Sequence, residues 1–164
     1  MDPVTAHVVI DRPREEVFEY LADIANHAEF SDHYLKEWRL TRIESYGRGA
    51  GARFKIDAPL DRYAWGDMTF IEVDPPYRIV AAGRAGKFNR NKTWTTWTLE
   101  PSGNATRVEV TTESEPGLPT DKLMEAITGR RGWTKRKLSK ALSRMQSILE
   151  EDMDRGRRVT VGGL

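Results

Sequence analysis

Cysteine is absent from the 164 residues. That excludes disulfides, thiolate nucleophiles and cysteine-ligated zinc. Net charge is nearly absent too: 26 basic and 25 acidic side chains leave a formal +1. The balance excludes a globally basic nucleic-acid binder and a chain held disordered by its own charge. No apolar run approaches the roughly 18 residues of a membrane span, and the first residues carry no signal-peptide core. The expectation is a soluble, cytoplasmic protein of one domain over residues 1–154, with 155–164 as a frayed tail. Histidine is scarce, occurring only as His7, His27 and His33. There is no H-E-x-x-H, no G-x-S-x-G and no P-loop lysine, so zinc-hydrolase, serine-hydrolase and nucleotide-cradle chemistry lack their motifs. Neither a metal nor a cofactor is expected.

What the chain does carry is periodicity. Val4 to Asp11 alternates Ala6, Val8 and Ile10 against Thr5, His7 and Val9, the pattern of a half-buried strand. Pro13 then opens a helix, with Glu15 and Glu16 behind it and Val17, Phe18, Leu21 and Ile24 at helical spacing. A short helical turn is expected at 26–30. From Leu35 the period is two, with strands expected at 35–46, 52–58, 63–73, 77–85, 92–100 and 106–114. Turn residues such as Pro75, Pro76 and Gly103 separate them. Connections this short impose antiparallel pairing. Beyond Pro119 the period returns to 3.6 and is interrupted at Gly129 and Gly132. A last helix is expected from Trp133 to Met153, with Leu138, Ala141, Leu142, Met145, Ile148 and Leu149 on one face.

A strongly twisted antiparallel sheet curls, and one long helix across its concave side cannot fill the hollow. With two short helices bracing one end, the residual volume is an apolar cavity with a few placed polar groups. The ordered runs VVIDRPREEVF at 8–18, GAGARF at 49–54, EVDPPYRI at 72–79, WTLEP at 97–101 and TRV at 106–108 carry a family resemblance. Over residues 4–152 the chain resembles the helix-grip superfamily (SRPBCC: START lipid-transfer domains, the birch-pollen-allergen group and polyketide cyclase/dehydrase-like proteins). Within it the polyketide cyclase/dehydrase-like group is the most similar. Asn104 and Ala105 depart from the usual Gly-Gly at that turn. The resemblance implies an α+β fold: a curved antiparallel sheet of six to seven strands around a long C-terminal helix, two short helices after the first strand, and an internal cavity. It also implies a hydrophobic ligand, such as a lipid, a polyketide or a quinone-like molecule.

Phe54, Ile56, Met68, Phe70, Ile79, Trp97, Leu99, Val108 and Val110 lie on the inferred concave face, opposed by Leu138, Leu142 and Met145. In a solid fold these are core; in a helix-grip layout part of them is ligand wall. Met68 and Met145 suit an adaptable pocket. Whether Trp38 and Trp65 reach it depends on strand register, because a one-residue bulge flips either. His27 and His33 lack a metal-ligand spacing and read as acid/base candidates at the cavity mouth or as solvated histidines. With Tyr34, Tyr63 and Asp67 they make the candidate catalytic set for cyclase-like proton transfer, provided that they meet inside. Asp61 and Glu72 read as exposed carboxylates. Arg84, after Gly83, reads as a cavity-facing guanidinium or, by the phase of Ile79, Ala81 and Gly83, as an outside residue; Gly47, Gly49 and Gly51 precede a strand, so a hairpin fits them better than a phosphate cradle.

Residues 130–144 carry seven basic and no acidic side chains. That order opposes the helix dipole, which favours acids first. Contact with RNA or an anionic membrane through this helix, with Trp133 as anchor, is set against a merely solvated face. Three functions therefore stay open: a binder of a small hydrophobic or aromatic molecule, a polyketide aromatase/cyclase-like enzyme, and a docking protein. The binder, as a monomer or homodimer, is the expected one.

Overall fold

The computed structural model describes residues 1–60 and 65–162, with side chains as far as Glu151. Asp61 and Tyr63 lie outside the described residues. Strand β1 (Val4–Ile10) buries Val4, Ala6 and Ile10 and turns Thr5 and His7 outward, as its alternation requires. Pro13, at φ −59°, is already shaped for a helical start and caps α1 (Arg14–Ala22). Glu15 and Glu16 complement the positive end of that helix, and Val17, Phe18, Leu21 and Ala22 form its buried stripe. The Asp23 carboxylate accepts from the Ala25 N–H at 3.0 Å, starting a 3-10 turn (Ile24–Asn26) that runs into α2 (His27–Ser31).

Six strands follow: β2 (Leu35–Leu40), β3 (Gly51–Ile56), β4 (Trp65–Asp74), β5 (Arg78–Ala85), β6 (Asn91–Ser102) and β7 (Ala105–Glu115). They pair antiparallel with β1 in one sheet of seven strands, in the order β1-β7-β6-β5-β4-β3-β2. The sheet is a curled half-barrel. Helix α3 (Pro119–Ile127) and the long α4 (Arg130–Gly162) complete an α+β helix-grip fold, the architecture expected. At 1.5 Å per residue α4 is about 50 Å long. It packs along β1 and against α2, with Leu138, Ala141, Leu142 and Met145 buried.

Two elements differ from expectation. The strand expected at 35–46 stops at Leu40, because the chain beyond it serves another partner. The Ile24 N–H donates to the Ser45 carbonyl at 2.8 Å, and the Gly47 N–H to the Ala22 carbonyl at 2.9 Å. Residues 45–47 thus satisfy the backbone of the α1–α2 connection instead of extending the ladder. The last helix begins at Arg130, three residues earlier than expected, because Gly129 at φ +63° makes the break and the Trp133 N–H already donates to its carbonyl. Its backbone remains helical to Gly162, past the Met153 end that was expected.

Arg12 fastens the start of α1 to α4. Its Nε donates to the Leu149 carbonyl at 3.2 Å and its Nη2 to the Glu150 carbonyl at 2.6 Å. The Thr106 hydroxyl donates to the Arg12 carbonyl at 2.8 Å from β7. Arg12→Met keeps the aliphatic stem but strips the charged donors. It should cost about 2 kcal/mol, read by urea denaturation; an unchanged midpoint would remove this clamp from the account.

Candidate functional site

Where the sheet curls away from α4 it encloses a cavity of about 470 Å³, within the range of about 300–1,000 Å³ typical of small-molecule sites. Small side chains create the space. Ala81 and Ala85 on β5 stand where larger residues would fill it, Gly66 on β4 lets Phe54 and Ile56 lie close to the backbone, and Thr95 and Thr112 carry the wall across β6 and β7. Their hydroxyls hydrogen-bond each other at 2.9 Å, so this part of the wall is polar yet satisfied. Trp133, Thr134, Leu138, Ala141 and Leu142 of α4 face it from the opposite side. Leu60, Lys87 and Met124 border it while exposed, which marks the mouth between the β3–β4 loop, the β5–β6 hairpin and α3.

The inner end is aromatic. A bulge in β2 makes it so: Lys36 faces Lys55, but Arg39 faces Arg53, one residue out of step, with Glu37 at φ 53°. The extra residue brings Trp38 opposite Phe54, where the rings stack at 5.2 Å between centroids. Trp65, by contrast, does not border the cavity; it lies beneath the Arg53 guanidinium, 5.3 Å from it.

His27 occupies the centre of this cluster and is 1% exposed. Its ring lies 5.0 Å from Phe30, 5.0 Å from Trp97, 5.5 Å from Phe70 and 6.3 Å from Trp38. Nε2 is 2.8 Å from the Leu21 carbonyl, which can only accept, so Nε2 carries the proton. Nδ1 is then an acceptor, and it has no hydrogen-bond partner among the described residues. Burial pushes the imidazole pKa down from 6.5 to about 4, outweighing the Leu21 hydrogen bond that favours the charged form. The ring is neutral at pH 7. Tyr34 is likewise a neutral donor: burial pushes its phenol up to about 12, against a smaller opposing effect of the Ser31 hydroxyl. The Trp38 Nε1 is buried with no partner among the described residues.

Of the five catalytic candidates, His27, Tyr34 and Asp67 border the cavity. Among the described residues no hydrogen bond joins any two of them, and Tyr63 lies outside the described residues. His33 is not at the mouth as expected. It ties α2 to α4 outside the cavity, with Nε2 donating to the Lys137 carbonyl at 3.2 Å and Nδ1 accepting from Arg144 at 3.2 Å. Arg144 also pairs with Asp32. Asp67 is pinned at the rim by accepting from the Arg84 N–H at 3.0 Å. A Cβ on Gly83 would stand 1.9 Å from the Asp67 carbonyl oxygen, so this close approach of β5 to β4 requires glycine. Arg84 itself is exposed yet borders the cavity, so its side chain stands at the rim.

Among the twelve wall candidates, Phe54, Ile56, Met68, Trp97, Val110, Leu138 and Leu142 border the cavity. Phe70, Ile79, Leu99, Val108 and Met145 instead pack in solid core, each no more than 2% exposed. For Leu99 and Val108 the reason is α1, which packs over β6 and β7, while Phe70 is covered by His27 of α2. Trp133 is 8% exposed, under Arg130 and Lys137 cations 4.8 and 5.9 Å from its ring. It faces the cavity and is not an exposed anchor. The helical period beyond Pro119 is α3, but sequence reasoning gave it no place at the site, where Asp121, Met124, Glu125 and the following Thr128 border the cavity. Its signal was an amphipathic helix with no buried residue. Among the described residues no three His, Asp or Glu side chains converge on a metal position, and no helix is long and apolar enough to cross a membrane.

A half-barrel gripping a long helix around a cavity is the architecture of the SRPBCC superfamily, in agreement with the motifs. More particularly, residues 11–150 match the family model described as Activator of Hsp90 ATPase homolog 1-like protein, and the chain belongs to that family. Comparison with curated proteins gave no match. Among solved structures, the KanY protein in solution is similar with a TM-score of 0.73 at 17% identity, over 90% of this chain and 97% of that one. Norcoclaurine synthase from Thalictrum flavum, in complex with dopamine and hydroxybenzaldehyde, has a TM-score of 0.66 at 12% identity, over 92% and 87%. DynU16, a protein of the dynemicin biosynthetic locus, has a TM-score of 0.61 at 22% identity, over 92% of this chain and 48% of that one.

Proposed function

We propose that the chain binds a small hydrophobic, aromatic molecule in the cavity between the sheet and α4. The observation that carries this is a 470 Å³ space bordered by Phe54, Trp97, Trp133 and Leu138, in which His27 and Tyr34 are held neutral while charged groups such as Asp67, Lys87 and Asp121 stand at the rim and mouth. An uncharged ligand enters such a site without leaving a buried charge unpaired. A polyketide or quinone-like molecule fits this better than a lipid, because the inner end is built of flat rings that stack. Norcoclaurine synthase, similar in fold, was solved with two aromatic molecules bound. The cyclase reading takes second place, since His27, Tyr34 and Asp67 make no acid/base pair. The cytoplasmic setting expected from the sequence belongs to the same reading. Titration with 1-aminoanthracene, an apolar fluorescent probe, should give saturable binding of one probe per chain; a linear, unsaturable rise would overturn the proposal.

In this reading α3 is the cover of the mouth. It buries none of its own residues and exposes Leu123 and Ile127. Polar ties hold it: Arg90 donates from Nε and Nη2 to Asp121, both at 2.7 Å, and the Ser114 hydroxyl donates to Glu125 at 3.0 Å. Asp121→Ala should therefore speed probe entry and release several-fold in stopped-flow fluorescence, while the equilibrium affinity shifts less. Unchanged rates would mean that α3 does not gate the cavity.

A further inference from the structure

The cavity wall changes chemistry along its length. Three cross-strand pairs of β6 and β7 border it: Trp97 with Val110, Thr95 with Thr112, and Thr93 with Ser114. The first pair is apolar and belongs to the aromatic inner end. The other two carry hydroxyls, and since β6 starts from the hairpin at the mouth they stand about 7 and 14 Å nearer the opening. Helix α4 repeats the change from the opposite side. One turn before Leu138, towards the start of the helix, Thr134 borders the cavity. Arg131 donates to the Pro3 carbonyl at 3.3 Å, and Val4 pairs with Thr112, so this start of α4 lies by the hydroxyl-bearing end of β7.

Thr134 is the distinctive member of this belt. It is 8% exposed, yet its hydroxyl makes no hydrogen bond among the described residues. Thr128 shows the ordinary helical alternative, donating to the carbonyl four residues back, that of Met124, at 2.7 Å. Thr134 makes no such bond. Its oxygen is also not among the atoms sealed away without a partner, so it keeps open surface on the cavity that it borders. A buried hydroxyl without a partner costs free energy, and a valine would fill the same shape without that cost. A ligand atom that pairs with it is the physical reason for threonine here.

Resting on the binding function above, we propose that the ligand is an aromatic molecule with a neutral oxygen substituent, which Thr134 hydrogen-bonds while the rings lie further in, against Trp97 and Phe54. The Thr134 hydroxyl donates to a ketone or accepts from a phenol, so either oxygen satisfies it. The hydroxyls of β6 and β7 make this level polar without a charge. An ionised substituent is disfavoured there, because no side chain of the belt carries a compensating charge. The ligand enters rings first, with its oxygen end towards the mouth.

Two probes of one ring system test this by equilibrium dialysis at pH 7. 2-Naphthol carries such an oxygen; 2-methylnaphthalene has a methyl group in its place. Thr134→Val keeps the branched shape and removes the hydroxyl. In this variant naphthol affinity should fall about fivefold, while affinity for 2-methylnaphthalene holds or rises. Thr134→Ser returns the hydroxyl and should restore the naphthol affinity. The urea midpoint of Thr134→Val should hold or rise, since a methyl group replaces a buried hydroxyl that the chain itself leaves unpaired. Equal changes for the two probes in Thr134→Val, or no change for either, overturn the oxygen assignment and leave the binding function standing. Failure of both probes to bind the wild-type chain overturns both.

Discussion

In an Ala81→Leu variant, saturable binding of 1-aminoanthracene should fall by about a hundredfold or more, while the chain stays folded. Ala81 sits on β5 between Phe70 and Thr95 of the neighbouring strands, borders the cavity and is 1% exposed. A leucine there grows into empty space instead of into packed atoms, so overpacking strain should stay below about 1 kcal/mol. The same atoms occupy the volume a flat ring needs beside Trp97. A hundredfold loss corresponds to about 2.7 kcal/mol of binding free energy. Ala85→Leu, nearer the mouth, should act in the same direction with a smaller loss. Isothermal titration of the three proteins reads both effects. Unaltered affinity in Ala81→Leu would place the probe somewhere other than this cavity.

The second large effect is on stability against pH, and it comes from His27. In the folded chain burial holds its pKa at about 4, against 6.5 when exposed. Between those values the unfolded chain binds a proton that the folded chain refuses, so folding stability falls as the pH is lowered. One tenfold step in proton affinity is about 1.4 kcal/mol, and the whole window amounts to about 3 kcal/mol. His33, also lowered chiefly by desolvation, acts with the same sign but is only partly buried. Asp32 and Asp121 are held below the usual carboxylate range by Arg144 and Arg90, and they lose their stabilisation only below about 3.8. The window above 4 therefore belongs to the histidines. Urea midpoints measured from pH 7 to pH 4 should decline steadily, and His27→Gln should flatten most of that slope. A decline of the same size in the variant would mean that another group carries it.

Much of the fold is legible in the chain because its signals are local. The alternation of Ala6 and Ile10, the 3.6 spacing of Leu138, Ala141, Leu142 and Met145, and the turns at Pro75 and Gly103 each act over a few residues. The strand phase also assigned the concave face well enough to find Phe54, Met68 and Trp97. It did not separate wall from core, because Leu99 and Val108 share that phase and are covered by α1, whose placement across β6 and β7 is a long-range matter. Residues 45–47 left the expected strand for the same reason: their partners, Ala22 and Ile24, are about twenty positions away. His27 reads locally as a polar residue on a short helix. What makes it distinctive is Trp38, Phe70 and Trp97 arriving from three different strands. Trp133 was misplaced by its company, since a run of Arg and Lys hides a residue that the spacing to Leu138 and Ala141 puts on the buried face.

If the space between sheet and α4 is a binding site and not a packing defect, it takes up an apolar aromatic molecule. A crystal structure of the chain grown with 1-aminoanthracene tests it directly. One probe molecule is expected inside the cavity, in contact with Trp97 and Leu138, with the sheet unmoved. A cavity closed by collapsed side chains, or a probe seated only on the outer surface, would contradict it.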